Sequence, residues 1–199
     1  MKKILNLGIA AVLAAGLASC SDDDKILGEW LGAPTRINIG GTADTQVTPR
    51  LTFVAGQDAS EGSVSIASDI AILDVIPSND SLASPYEVTV AGTAVIKGTY
   101  RVVDDDEVLI DLDNNSLTVN IPSSAISFDE SQFTERLIPE QIEGHKTQIA
   151  RRYETRVRHT LGVELMRYSR LDDVKIDKDL FTCEIDNRDI MFRRAKLRE

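Results

Sequence analysis

The chain has few of the residues that build disulfide frameworks and metal sites. Only two cysteines and two histidines occur in 199 residues. Cys20 and Cys183 allow at most one intramolecular disulfide, which excludes a disulfide-rich scaffold. His145 and His159 are 14 residues apart and lack a glutamate at the spacing of a zinc-protease motif, so we expect solvent-facing histidines and no metal site.

Aromatic residues are also scarce, at 5% of the chain with a single tryptophan. This scarcity argues against a carbohydrate-binding platform of stacked rings. The sequence has no phosphate-binding glycine loop and no nucleophile elbow. The acidic clusters at 104–107 and 111–113 lack the central glycine of a calcium loop, and we interpret them as soluble turns and edges. We therefore expect no cofactor and no enzyme.

Basic residues are rare between residues 20 and 130. Residues 20–130 contain 5 basic and 19 acidic side chains, whereas residues 131–170 contain 8 basic and 5 acidic ones. An acidic domain is repelled by a phosphate backbone, and the basic segment is interleaved with glutamate. Nucleic acid is therefore not an expected partner.

The N-terminus has the three parts of a secretion signal. Lys2 and Lys3 precede a mostly apolar run from Ile4 to Ala18. At 15 residues, this run is shorter than the roughly 20 that a helix needs to cross a bilayer. We therefore predict that residues 1–19 are a signal peptide and do not belong to the mature protein.

The end of this segment, Leu17-Ala18-Ser19-Cys20, resembles the lipobox of bacterial lipoproteins. The resemblance implies that Cys20 becomes the first residue and carries acyl chains that bind membrane lipid. Each buried methylene contributes about 0.8 kcal/mol, so several chains make a durable anchor. The alternative is an ordinary signal peptide with an incidental cysteine.

The four residues after the lipobox are Ser21, Asp22, Asp23 and Asp24. They resemble the acidic surface-export tether of lipoproteins from the Bacteroidota, which implies an outer-membrane protein that faces outward. The alternative is a solvated acidic linker on a protein of the periplasmic face. In both cases residues 20–25 are the anchor and tether, and we predict one domain over residues 26–199.

With Cys20 used by lipid, Cys183 has no partner. Phe181 and Ile185 flank it at a spacing of two, so we expect Cys183 to be a small buried thiol in a strand. Because nothing in the sequence supplies it with a base, nucleophilic use is not expected.

Up to residue 128 the dominant signal is alternation of apolar and polar residues. This period is typical of short strands in a half-buried antiparallel sheet. We predict a β-hairpin with Asn114-Asn115 at its turn, because asparagine tolerates left-handed backbone. The alternating residues are Leu51 and Phe53; Val64, Ile66, Ile70 and Ile72; Tyr86, Val88 and Val90 after the 77–85 loop; Val108, Ile110 and Leu112; and Leu117, Val119 and Ile121.

From about Phe133 the period changes to that of a helix. We predict an amphipathic helical insertion over about 131–168, with Pro139 in its first turn and breaks or bends possible at Gly144 and Gly162. Its apolar positions are Ile142, Ile149, Tyr153, Val157, Leu161 and Leu165.

The opposite face of this helix is basic. We interpret it as a solvated face beside an acidic domain, with a dedicated anion site as the alternative. Its residues are Arg151, Arg152, Arg156 and Arg158.

Alternation returns after the helix, at Val174 and Ile176 and again around Cys183. Residues 186–189 then form a polar turn before Ile190 and Phe192. A last hairpin after a helix indicates one domain whose sheet is completed late.

A resemblance to a known family covers most of the mature chain. Ile26-Leu27-Gly28-Glu29-Trp30, Leu51-Thr52-Phe53, Gly98-Thr99-Tyr100 and Ile190-Met191-Phe192-Arg193-Arg194 resemble, in this order, segments of lipocalin-like lipoproteins of the Bacteroidota. The resemblance implies a mainly β protein with a lipocalin-like (calycin) antiparallel β-barrel.

In that family the tryptophan of the Gly-x-Trp motif lies under a C-terminal arginine at the closed end of the barrel. Gly28 and Trp30 match the motif, and Arg193 or Arg194 matches the arginine. Because Ile190 and Phe192 share one face, period two places Arg194 on the same face. The opposite end of the barrel is then where a ligand would enter.

Two functions follow from this reading. The first is a membrane-anchored surface lipoprotein whose barrel binds a small apolar ligand, since eight-stranded barrels have room for one. The second is a structural or protein-interaction lipoprotein with a filled barrel.

Overall fold

The computed structural model describes residues 25–77, 85–133 and 137–195. Within them the chain forms ten β-strands and one α-helix, α1 (Pro139–Glu164). The strands are β1 (Gly28–Gly32), β2 (Thr35–Ile37), β3 (Asp44–Ala55), β4 (Glu61–Ile76), β5 (Tyr86–Asp104), β6 (Glu107–Asn120), β7 (Ile126–Phe128), β8 (Arg170–Asp177), β9 (Leu180–Ile185) and β10 (Arg188–Arg194).

Eight of the strands close into an antiparallel barrel. The short strand β1 closes it, because Trp30 pairs with Leu51 of β3 on one side and with Arg194 of β10 on the other. Around the ring the order is β1, β3, β4, β5, β6, β8, β9 and β10, while β2 and β7 add to β3 and β5. The predicted fold class, mainly β with an antiparallel barrel and one helical segment, is confirmed, and the barrel is consistent with a lipocalin-like one.

The strands are longer than the short runs that we expected. β4 has 16 residues and β5 has 19. In β4, every second residue from Val64 to Asp74 is buried, so the two apolar runs at 64–66 and 70–72 belong to one strand. Small Ser68 continues the inward face between them, and this polar residue hides the continuity in the sequence.

The predicted hairpin at Asn114-Asn115 is wrong. β6 runs through both asparagines, and β5 pairs with it on both sides of them, at Asp113 and again from Thr118. The pairing register shifts between these two points. The residues between them form an irregularity within one strand and not a turn between two.

This irregularity has a physical reason. Leu112 and Leu117 are five residues apart, so strict period two would point them to opposite faces of the sheet. A bulge inserts an odd number of extra residues between them and restores the alternation, so both side chains are buried. The Ser116 hydroxyl occupies the gap in the ladder, where it accepts a hydrogen bond from Lys97 N (2.8 Å) and donates one to Asp113 O (2.6 Å).

The helix α1 is a single element of 26 residues. It begins at Pro139, as the sequence predicts, and is followed by a 3₁₀ turn at Leu165–Ser169. Gly144 and Gly162 lie inside α1 and do not break it. Its apolar stripe is buried at Ile149, Ala150, Tyr153, Val157 and Leu161.

The final hairpin forms, but its turn is shorter than the predicted 186–189, because β10 begins at Arg188. β9 and β10 pair directly across a two-residue turn, Asp186-Asn187, and both turn residues have left-handed backbone (φ 51° and 59°). Cys183 is buried on β9 as a free thiol, as predicted, and its burial raises the pKa of the thiol to about 12. A thiol with this pKa is un-ionised at neutral pH.

Among the described residues, no helix has the length and apolar character needed to cross a membrane.

Candidate functional site

One end of the barrel is closed by Trp30. Its side chain is fully buried, and its indole Nε1 donates a hydrogen bond to the Ile26 carbonyl (2.7 Å). The ring meets Phe181 edge-on, with centroids 5.4 Å apart. We call this end, with its surrounding turns, the Trp30 end.

The arginine over this ring is Arg194. Its guanidinium carbon lies 4.2 Å from the centroid of the Trp30 ring. The same group donates hydrogen bonds to the carbonyls of Leu27 (2.9 Å) and Lys25 (3.0 Å). Arg193 lies on the other face of β10 and is exposed, so the alternation in the sequence separates the two arginines.

Gly28 makes room for this arginine. Its φ of +108° is one that side chains rarely adopt, and a Cβ atom there would lie 3.0 Å from Arg194 Nη1. Both the backbone and the close approach require glycine.

The opposite end of the barrel is covered by α1. We expected a ligand to enter there, but the helix seals this end with hydrogen bonds to the barrel. Tyr153 donates to Asp74 Oδ2 (2.6 Å), and Thr42 donates to Asp74 Oδ1 (2.5 Å). Asp74 lies at the end of β4 and is only 5% exposed. We call this end the covered end.

Asp74 remains ionised despite its burial. Desolvation pushes its pKa up, but hydrogen bonds from Thr42, Tyr153 and the Val75 backbone, together with the nearby Arg156, outweigh that effect and hold the pKa below its usual value. Burial and the bond to Asp74 raise the pKa of Tyr153. The phenol therefore stays a hydrogen-bond donor.

The basic face of α1 is only partly solvated, which corrects our interpretation. Arg151 and Arg152 are exposed. Arg156, however, donates from Nε to the Ile39 carbonyl (3.0 Å) and lies 3.7 Å from Asp74. Arg158 donates to the carbonyl of a β6 residue (2.5 Å). These two arginines hold α1 to the barrel.

His145 is not solvent-facing, so that expectation is wrong, whereas His159 is exposed. His145 Nε2 and the Tyr86 hydroxyl lie 2.5 Å apart in a hydrogen bond. The imidazole also meets the rings of Phe128 and Phe133, with centroids 5.6 and 5.5 Å away. Burial lowers the pKa of His145 and favours its neutral form.

The interior of the barrel is filled by its own side chains. Large residues from the strands and from α1 pack in one continuous core. The largest fully buried side chains are Trp30, Tyr86, Tyr153, Phe53, Phe181, Phe192, Leu51, Ile66, Ile96, Ile126, Leu161 and Leu171.

A small cavity opens through the wall of the barrel. β10 pairs with β1 only over Phe192–Arg194, and β2 pairs only with β3, which leaves a side gap between β2 and the start of β10. The cavity behind the gap has a volume of about 120 Å³. Its lining includes Ile37, Val47, Ser68, Leu165 and Ile190. This volume is well below the roughly 300–1,000 Å³ of a typical small-molecule site.

The carboxylates that we interpreted as soluble turns and edges lie only partly in turns. Asp105 and Asp106 form the β5–β6 turn, and Asp111 and Asp113 are exposed on β6. No group of three or more His, Cys, Asp or Glu side chains among the described residues is placed to hold a metal ion.

The remaining predicted site residues, Cys20 and the predicted tether Ser21, Asp22, Asp23 and Asp24, lie outside the described residues, as does the predicted signal peptide. No protein-family model matches the chain, and no curated protein matches it.

Sequence reasoning missed the residues that seal the covered end. Asp74 looks like an ordinary polar position at the end of a strand. Its one signal is its place in the strand alternation. Asp74 shares the inward face with Ile70 and Ile72, where a charge needs buried partners. Nothing in the spacing identifies those partners as Thr42 and Tyr153.

Proposed function

We propose that this chain is a lipid-anchored surface lipoprotein whose filled barrel acts as a structural or protein-interaction module. One observation carries the choice between the two expected functions: the described interior is packed, and both ends of the barrel are closed. Because a packed and closed barrel has no open interior for a ligand, we assign its function to its outer surface. The exposed face of α1 is the largest helical surface available to a partner.

Lipid attachment rests on the lipobox and the charged start of the chain. The test is metabolic labelling with a fatty acid in cells that produce the protein or Cys20→Ala. We expect label only on the protein with Cys20, and release of the variant from membranes. Label that survives the substitution contradicts the anchor, and Cys183→Ala is the matched control because that thiol is buried.

Surface exposure rests on the acidic tether and requires its own experiment. Protease added to intact cells is expected to degrade the protein. Replacement of Asp22, Asp23 and Asp24 by alanine is expected to protect it, because the export signal is lost. Equal resistance of both forms places the protein on the periplasmic face.

Interaction through α1 can be tested by photo-crosslinking in cells. A crosslinking residue at Val163, which is 62% exposed on α1, is expected to capture a defined partner. The matched position is Val54, which is 54% exposed on β3 at the other end of the barrel. Products at Val54 with none at Val163 contradict the assignment of α1 as the interaction surface.

Binding of a small apolar ligand is the second candidate, and the side cavity favours it. An apolar cavity of about 150 Å³ can bind benzene, so the roughly 120 Å³ here suits a ligand of only a few carbon atoms. Ser68→Leu would fill the cavity from β4. Benzene binding that is seen by NMR in the wild type and lost in Ser68→Leu supports this candidate, and binding by neither form removes it.

A further inference from the structure

Lys25 and Ile26 lie at the Trp30 end of the barrel. The Lys25 carbonyl accepts a hydrogen bond from Arg194, and the Ile26 side chain is buried in the core. Cys20 is five residues away in the sequence. Because an extended chain covers at most about 3.6 Å per residue, a lipid on Cys20 lies within about 18 Å of this end.

The covered end is much farther from that point. Tyr86 and Tyr100 mark the two ends on the inward face of β5, and 14 residues separate them. Extended strand rises about 3.3 Å per residue, and barrel strands tilt by about 40°, so the ends are separated by roughly 35 Å along the barrel axis. The tether is too short to place the covered end on a membrane.

The surface of the Trp30 end contains both apolar and charged groups. A cleft of about 270 Å³ opens there, between the start of the fold and the ends of β5, β6 and β8. Val103 beside the cleft is 44% exposed. Lys25 and Lys175 at the cleft suit a lipid phosphate, whereas Asp104 and Asp105, with Asp106, Asp173 and Asp179 nearby, oppose an anionic surface. The remaining lining residues are apolar: Ile26, Val102, Val108, Val174 and Ile176.

We propose that the Trp30 end rests on a zwitterionic phospholipid bilayer and that α1 is held away from it. The mixed charge at the cleft matches a headgroup that carries both a phosphate and an ammonium, and the exposed Val103 beside the cleft matches the acyl region beneath. This orientation rests on the proposed lipidation of Cys20. Its consequence is that the exposed face of α1 points away from the membrane, and with the proposed surface export this direction is toward the surroundings of the cell.

The test uses nitroxide labels on the full acylated protein in phosphatidylcholine vesicles. Single cysteines are introduced as Val103→Cys at the Trp30 end, Val163→Cys on α1 and Met191→Cys on the outer wall of β10. The last two positions are 62% and 51% exposed. Collision with membrane-soluble oxygen, relative to a water-soluble nickel complex, reports contact with lipid. The protein without an introduced cysteine measures background labelling at the buried Cys183.

We expect the oxygen-to-nickel ratio to rise several-fold at Val103→Cys when vesicles are present and to stay unchanged at the other two sites. A rise at Met191→Cys means that the barrel lies on its side, and a rise at Val163→Cys means that it is inverted. Equal ratios at all sites mean that no face is preferred. Each of these three results overturns the orientation.

Flotation of the vesicles separates this proposal from the anchor. Protein that floats with the vesicles but shows no preferred face refutes the orientation and leaves the lipoprotein assignment standing. Protein that does not float refutes the anchor and the orientation together.

Discussion

The two ends of the barrel are closed by different chemistry. At the Trp30 end, an apolar ring is buried under one arginine, and the polar groups of both side chains bond to backbone carbonyls of residues 25–27. At the covered end, α1 packs through its apolar stripe, and buried polar contacts between side chains of different elements also join it to the barrel. Asp74 bonds Tyr153 across 79 residues, and Arg156 bonds the Ile39 carbonyl across 117.

This difference explains why the contacts that close the Trp30 end could be predicted from the sequence, whereas those that close the covered end could not. The contact between Trp30 and a C-terminal arginine is what the resemblance to lipocalin-like lipoproteins implies, and the alternation on the last strand then selects Arg194. A buried carboxylate that receives a tyrosine and a threonine from other elements has no local pattern. Long-range polar contacts of this kind are visible only once the barrel has placed the segments together.

The largest expected effect comes from the Trp30 end. Trp30→Ala removes a fully buried ring and its contact with Phe181, and we expect it to lower the free energy of unfolding by about 3 to 5 kcal/mol. Urea denaturation measures the change. Trp30→Phe is the control, because it keeps part of the apolar volume and should cost less. A loss below 1 kcal/mol contradicts a central role for this ring.

The next effect comes from the covered end. Asp74→Ala leaves the buried Tyr153 hydroxyl without its acceptor, and we expect a loss of about 2 to 3 kcal/mol at pH 7. Because the pKa of Asp74 is lowered in the folded state, its contribution is complete above the unfolded value near 3.8 and disappears as the pH falls through the lowered pKa. The difference between wild type and variant should therefore shrink in strong acid.

The two arginines of β10 test how much the cation over Trp30 contributes to the stability of the Trp30 end. Arg194→Ala removes the cation over Trp30 and two hydrogen bonds to carbonyls, and we expect a cost of about 1 to 2 kcal/mol. Arg193→Ala changes an exposed side chain and should stay within about 0.5 kcal/mol. Thermal melts of the two variants are a matched pair. The opposite order would mean that the ring contact contributes little.

The smallest effect is a pH dependence at the covered end. Burial lowers the pKa of His145, so between this lowered pKa and about pH 6.5 the unfolded chain binds more protons than the folded chain. Stability should fall as the pH decreases from 7 to 5, and His145→Gln should weaken this dependence. His159→Gln is the control, because that side chain is exposed. Identical pH profiles for wild type and His145→Gln contradict the burial of a neutral imidazole.

Much of the fold could be predicted from the sequence, because alternation and helical spacing are local signals. The failures are equally physical. Because Leu112 and Leu117 are an odd number of residues apart, the sequence suggests two arms of a hairpin. In the structure, a bulge within one strand accommodates this spacing. Arg156 and His145 look like solvated residues of a helix, yet α1 turns them toward the barrel. Helical periodicity finds the apolar stripe of α1 but not the polar groups at its border.

Native mass spectrometry of the purified mature domain tests the central claim, that the barrel is filled and closed at both ends, most directly. We expect the mass of the polypeptide with any acyl modification from the proposed lipidation, and no additional small molecule retained under gentle ionisation. A stoichiometric apolar ligand of several hundred daltons would contradict a filled barrel, because inside the barrel the packed side chains and the side cavity of about 120 Å³ leave no room for it.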